Sequence, residues 1–200
     1  KEEALKHVQP GDMAVYDAPS FLTPGGMIVS PYLDDRICCV AQLMALEKLK
    51  KTDNDVWFVF TVQEEVGLRG AKTAGYIVDP DYFVVCDVTW SDDTPKAEHF
   101  ASSVTGKGAA IKIMDGSVIA HPQVVKLLND IAKQKKIKVQ QDVLKGGGTD
   151  AGAIHVSRAG VPSSGVSVPI RYCHYAQEMA ALSDVEDTAK LLAAFAENKF

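Results

Sequence analysis

Residues 57–71, WFVFTVQEEVGLRGA, limit the possible folds more than any other part of the chain. A β-branched and aromatic run stops abruptly at two adjacent carboxylates, Glu64 and Glu65, and Gly67 follows before a stretch of helical character. Short apolar runs bounded in this way are typical of buried strands in α/β sheets, so 56–62 is expected to be a strand. Two acids at the carboxyl end of such a strand are costly to bury without a charged partner. Open α/β sheets bind their ligands along that same edge. The rest of the chain must therefore supply whatever Glu64 and Glu65 face.

Apolar residues recur at helical spacing over 37–50 (Ile37, Val40, Leu43, Met44, Leu46), and Lys48, Lys50 and Lys51 cluster where cations suit the helix dipole. Asp34 and Asp35 stand immediately before that helix. Asp35 can serve as its N-cap, which leaves one acid over. Residues 82–88 (YFVVCDV), 109–114, 139–144 and 164–168 read as strands. Residues 69–76, 121–135, 150–159 and 182–198 read as helices, the last opened by a capping box of Ser183 and Glu186. Residues 1–30 carry two Pro-Gly turns around a short strand candidate at 13–16 and read as connecting chain. The remainder, 31–200, is expected to form one α/β domain. Its alternating strands and helices predict a sheet covered by helices on both faces.

Composition removes several function classes. A formal net charge of −5 disfavours nucleic acid, whose phosphates need a basic surface. No apolar run approaches the length of a membrane span. Four cysteines, Cys38, Cys39, Cys86 and Cys173, show neither CxxC spacing nor a disulfide framework, and suit a reducing cytoplasmic setting. Cys86 and Cys173 each precede a candidate ligand by one residue and are expected to pack behind it.

Four positions stand out among the polar residues at strand ends and helix starts: Asp34, the Glu64-Glu65 pair, Asp87 and His174. Carboxylates and an imidazole converging on one sheet edge would repel unless neutralised. A divalent metal neutralises them, and mixed Asp/Glu/His ligation favours zinc, cobalt or manganese over magnesium alone. One carboxylate is then left over as a base for activating water. Any one of these acids could be a cap or a surface charge. A glycoside hydrolase would also use paired acids, roughly 5–10 Å apart, but has no call for Asp87 and His174. The turn 146–148 with Thr149 and Asp150, and Arg171, are further candidates for the walls of a substrate pocket.

The segments LDDRICC (33–39), FTVQEEVGLRGA (60–71), CDVT (86–89), GKGAAIKIMD (106–115), IAHP (119–122), GGGTDAGAIHVSRAGVPS (146–163) and VPIRYCHY (168–175) resemble, in order, the M42 family of metallo-aminopeptidases. One departure is Cys38, where the family has glycine. The resemblance implies a three-layer αβα fold with a mixed central sheet of the zinc-peptidase type. It also implies two divalent metal ions, zinc or cobalt with manganese as a third candidate. Asp34 would bridge them, with Glu65, Asp87 and His174 as further metal ligands. Glu64 would be the general base, and Asp35 would orient the site through an unusual peptide geometry. Gly147, Thr149 and Arg171 would be substrate-binding residues. The implied substrate is a peptide with a free N-terminus, and the implied assembly a cytoplasmic homo-oligomer with no nucleic-acid or membrane partner. The family's fifth ligand is a histidine in a His-x-Asp motif upstream of LDDR, separated from it by a β-barrel domain. No His-x-Asp occurs here: His7, His99, His121 and His155 do not match it. The chain therefore reads as the C-terminal portion of such an enzyme, holding one ion well. The alternative is a non-catalytic fragment that acts as a scaffold or binding partner.

Overall fold

The computed structural model describes residues 1–97 and 101–200; His99 lies outside the described residues. Its seven-stranded mixed sheet contains β1 (Phe21–Leu22), β2 (Met27–Ser30), β3 (Phe83–Trp90), β4 (Ala109–Met114), β5 (Val139–Val143), β6 (Ser163–Arg171) and β7 (Glu178–Ala181). The helices are α1 (Leu33–Lys48), α2 (Arg69–Val78), α3 (Pro122–Lys135), α4 (Ala151–Ile154) and α5 (Leu182–Ala196). The main core lies between the sheet and α1, α3 and α5, with Ile37, Leu128, Val166 and Leu191 among its buried side chains. Smaller clusters under α2 and α4 cover the other face, so three layers form as expected.

The centre of the sheet is β6, parallel to β3 from Ser163 to Ile170 and antiparallel to β4 and β7. Its small residues allow close approach: a Cβ on Gly165 would come within 2.8 Å of Val85 Cγ1. The expected strand at 164–168 continues through Pro169 to Arg171. Pro169 falls between Ser167, paired to β4, and Ile170, paired to β7, where a residue lacking an N–H is tolerated. Residues 21–30, read as connection, supply β1 and β2, and β2 joins the sheet through β7.

Several expectations fail for physical reasons. Residues 56–62 form no strand: the segment has no ladder partner, with Trp57 and Val62 each 68% exposed. A cavity of 1190 Å³ lies between it and the edge of β3 away from β6, lined by Trp57, Phe60, Phe83, Val85, Leu192 and Phe195. Hydrophobic pattern reports a tendency to be buried, but ladder pairing depends on a neighbour that the segment does not itself contain. Residues 13–16 are likewise irregular, and Met13 is exposed. In α1 the buried face is Ile37, Cys38, Ala41 and Ala45, while Val40, Leu43 and Leu46 face outward, so small residues rather than large ones mark its packed side. The helix expected at 150–159 is only α4. At α5 the N-cap position is Ala181, and Ser183 donates instead to Asp184 Oδ1, so the capping box is absent.

Candidate functional site

All the candidate ligands but Asp87, which lies within a strand, sit where regular structure begins or ends. Tyr32 has a left-handed φ of 60°, and Asp34 and Asp35 hold non-helical angles before the regular turns of α1 begin. The Asp34–Asp35 peptide is cis. Asp87 lies inside β3, 8% exposed, and its Oδ1 accepts the Val88 N–H at 2.8 Å. Beyond β6 the chain reverses through Tyr172 and His174, both at positive φ, and the Tyr175 N–H closes the turn on the Tyr172 carbonyl. Glu64 and Glu65 occupy a turn rather than a strand end: the N–H groups of Gly67 and Leu68 both donate to the Glu64 carbonyl. Gly67 has a φ of 116°, which favours glycine there.

The structure gathers these residues into two overlapping groups. Ligand atoms of Asp34, Cys173 and His174 lie within 4.8 Å of one another, and so do those of Asp34, Asp35 and Asp87. Asp34 belongs to both. His174 Nε2 is 3.0 Å from Asp34 Oδ2 and 3.5 Å from Glu65 Oε2. Glu65 thus reaches the site through His174 and joins neither group. Cys173 was expected to pack behind the ligand; instead its thiol donates to Asp34 Oδ2 at 3.5 Å and faces the cluster. Cys86 does pack behind, donating to the Cys38 carbonyl. Beside the cluster is a cavity of 320 Å³ lined by Glu64, Glu65, Trp90, Gly147, Thr149 and His174.

The electrostatics are those of an overcrowded anion cluster. Burial pushes the Asp34 carboxyl up to about 6, and the Glu65 charge adds to the effect. Burial drives Asp35 to about 9 against a hydrogen bond from Cys38. Glu64 is raised to about 7, first by burial and then by Glu65, Asp150 and Asp34. Asp87 is held well above the ordinary carboxylate range by burial and by Asp35 and Asp34. Asp35 Oδ1 is buried without a hydrogen-bond partner. Converging acids, an imidazole, a thiol and an orphaned buried oxygen fit a divalent cation, which supplies the missing positive charge.

The expected pocket residues divide. Gly147, at a φ of 66°, and Thr149 line the smaller cavity, although the Thr149 hydroxyl is committed to Asp115 Oδ2. Arg171 is not brought to the site: its Nε and Nη2 each bond an oxygen of Asp93 at 2.8 Å. Ser91 and Thr105 hydroxyls also donate to Asp93, so this pair ties the end of β6 to the chain around 91–105. His121 precedes α3 without capping it through its side chain, and His155 Nδ1 contacts the Ala151 carbonyl; neither joins a group of candidate ligands among the described residues.

Sequence reasoning passed over two groups. Cys173 was set aside because free cysteines are commonly buried apolar residues. Glu178 was not singled out at all. It is 2% exposed, its Oε2 accepts the Asp34 N–H and its Oε1 accepts the His174 N–H, both at 2.9 Å. The available signal was its position, an acid four residues beyond a candidate histidine ligand in a turn.

A mixed αβα sheet with carboxylates and a histidine gathered beside it defines an α/β protein whose side chains could hold a divalent cation. Comparison with known proteins sharpens this. Residues 1–191 match the profile of the M42 glutamyl aminopeptidases, and the chain belongs to that family. It is similar to an aminopeptidase from the archaeon Desulfurococcus kamchatkensis, 43% identical with a TM-score of 0.91 over 98% of this chain and 56% of that one. The Pyrococcus horikoshii TET1 peptidase, described as assembling into a tetrahedron or a large octahedral shell, is 33% identical with a TM-score of 0.83, over 99% of this chain and 58% of its own. A lysyl aminopeptidase of Pyrococcus furiosus is 36% identical over 169 residues, 84% of this chain and 48% of that protein. The chain spans about half the length of the curated relatives it matches. Among the described residues, no helix is long and apolar enough to cross a membrane.

Proposed function

We propose that the protein is a metal-dependent aminopeptidase that removes the N-terminal residue from peptides. The observation carrying this reading is the convergence of Asp34, Asp35, Asp87 and His174 beside a cavity that Glu64 also lines, in a chain of the M42 family. Asp34, shared by both groups, would serve two divalent ions, zinc or cobalt with manganese as a third candidate; Asp87, Glu65 and His174 would supply further protein ligands, short of the fifth that the family resemblance implies. Such ions, when bound, polarise a scissile carbonyl, lower the pKa of water and anchor a free α-amine. Glu64 would take a proton from the attacking water and pass it to the departing amine. Glu64 lines the cavity and belongs to neither group of candidate ligands, which leaves its carboxylate available for that transfer.

Asp35 would orient the site from behind Asp34, and Gly147 and Thr149 would wall the substrate side chain. Arg171, engaged by Asp93, would hold surrounding chain in place. The TET1 relative supports a homo-oligomeric assembly. Exchanging the two adjacent glutamates in turn tests the division of labour. Glu64→Gln is expected to cut kcat by roughly 10²–10⁴-fold with metal content unchanged. Glu65→Gln is expected to lose metal. A Glu64→Gln enzyme that keeps its turnover, or one that loses metal as Glu65→Gln does, refutes the assignment.

A further inference from the structure

Glu178 is the first residue of β7, and its buried carboxylate joins two stretches of chain distant in sequence. One oxygen accepts the Asp34 N–H and the other the His174 N–H, each at 2.9 Å. Neither donor is served by regular structure: Asp34 precedes the regular turns of α1, and His174 sits at a φ of 64° in the reversal between β6 and β7. We infer that Glu178 is the positioning residue of this site, setting the separation of the Asp34 and His174 side chains by holding both backbones on one carboxylate. The inference rests on the reading of these two residues as metal ligands.

Three observations support it. The side chains so positioned meet at 3.0 Å, His174 Nε2 to Asp34 Oδ2. The turn 172–177 is closed by the β6–β7 ladder at Arg171 and Met179 and by the Tyr175 N–H on the Tyr172 carbonyl, neither of which reaches α1; among the described residues it is Glu178 whose hydrogen bonds join the His174 and Asp34 backbones. Glu178 is also 2% exposed and bonded to the Asp34 backbone, so it buries a further acid beside a cluster of acids, a crowding that a bound cation offsets. The chemistry is also selective. Two N–H donors need two acceptor oxygens; glutamine turns an NH₂ toward one of them, and aspartate is one methylene shorter.

Cobalt(II) titration of the intact protein, followed by visible absorption, tests this. Wild type is expected to bind cobalt with a ligand-field spectrum of low coordination number. Glu178→Gln is expected to bind roughly 10–100-fold more weakly, the range for partners that orient metal ligands, and to show a shifted spectrum at saturation. Glu178→Asp, which keeps the charge, is expected to fall between the two and carries the test if the glutamine variant does not fold. Wild-type affinity and spectrum in either folded variant overturn the inference while leaving the metal site intact. So does a variant whose metal-free melting temperature falls while its saturated spectrum stays that of wild type, which is the signature of a purely structural role. If wild type binds no cobalt, the reading of the site as a metal centre fails first.

Discussion

The metal-free site should make the protein less stable as pH rises, and Asp34 gives the size of the effect. Burial and the neighbouring Glu65 raise its carboxyl from 3.8 to about 6 in the folded protein. Below pH of about 4 the group is protonated in both states and contributes nothing. Between about 4 and 6 the unfolded chain has released its proton while the folded chain has not, so stability falls with increasing pH. Above 6 the loss is constant. A shift of about two units corresponds to about 3 kcal/mol at about 1.4 kcal/mol per unit. No large discount for solvent is needed, because the Asp34 side chain is 10% exposed. For a chain of this size that is a melting-temperature difference of about 6–12 °C.

The perturbation is Asp34→Asn, compared with wild type after chelation, melted from about pH 3.5 to about 7.5. The variant is expected to match wild type at the acid end and to overtake it progressively toward neutrality. Adding zinc should reverse the order: wild type gains about 2.7 kcal/mol at a hundred times the dissociation constant, and the variant much less. That gain should itself grow with pH, because the cation displaces protons from the acids it binds. Chelated wild type and variant melting in parallel across the whole range would refute the reasoning. The cluster would then be relieved in the metal-free protein by something other than protonation.

Two further predictions concern the scaffold. Lys112 and Asp142 are both fully buried, with Nζ 2.5 Å from Oδ2, an ion contact off the hydrogen-bond axis; Ser103 donates to the other Asp142 oxygen. Lys112→Met leaves a buried carboxylate alone and should cost about 3–5 kcal/mol in chemical denaturation, while adding Asp142→Leu should recover most of it. Arg171→Ala should destabilise the protein by about 1–3 kcal/mol at pH 7. Arg171 holds Asp93 well below the usual carboxylate range, so the pair's contribution is present above about pH 4 and fades as acid titrates Asp93 through its depressed folded-state pKa. A penalty as large in strong acid as at pH 7 would show that Arg171 acts through packing alone.

What the sequence made legible depended on whether the information was local. Strands β3, β4 and β5 and helix α3 appear within a residue or two of expectation because each carries its own period and its own breakers. The 56–62 segment carries an equally clear apolar signal and still forms no strand, because the signal contains nothing about which edge would pair with it. The same limit hid Arg171. A guanidinium near a histidine ligand invites a substrate role, and only the fold shows that Asp93, 78 positions away, already occupies it. Asp34, Asp87 and His174, which the structure draws into two overlapping groups, were singled out because chemistry marked them: acids and an imidazole beside apolar runs need a reason to be there, whereas Asp35 read as a helix cap until the family resemblance gave it a place.

That distinction also explains the layout of the site. The residues that can touch a cation come from four separate elements, and their side chains alone do not fix their spacing. His174 is 58% exposed on a turn, and Glu65 is 57% exposed on another. Asp34 and Asp87 are the buried members, one at the start of α1 and one inside β3. A centre built half from buried and half from exposed groups keeps its geometry only if the exposed half is anchored from below. A backbone bond at 2.9 Å to the buried carboxylate of Glu178 provides that anchor for His174, and none comparable links the Glu65 carboxylate to the sheet among the described residues. Glu65 should therefore be the ligand whose position depends most on the cation itself, and His174 the one already in place before it arrives.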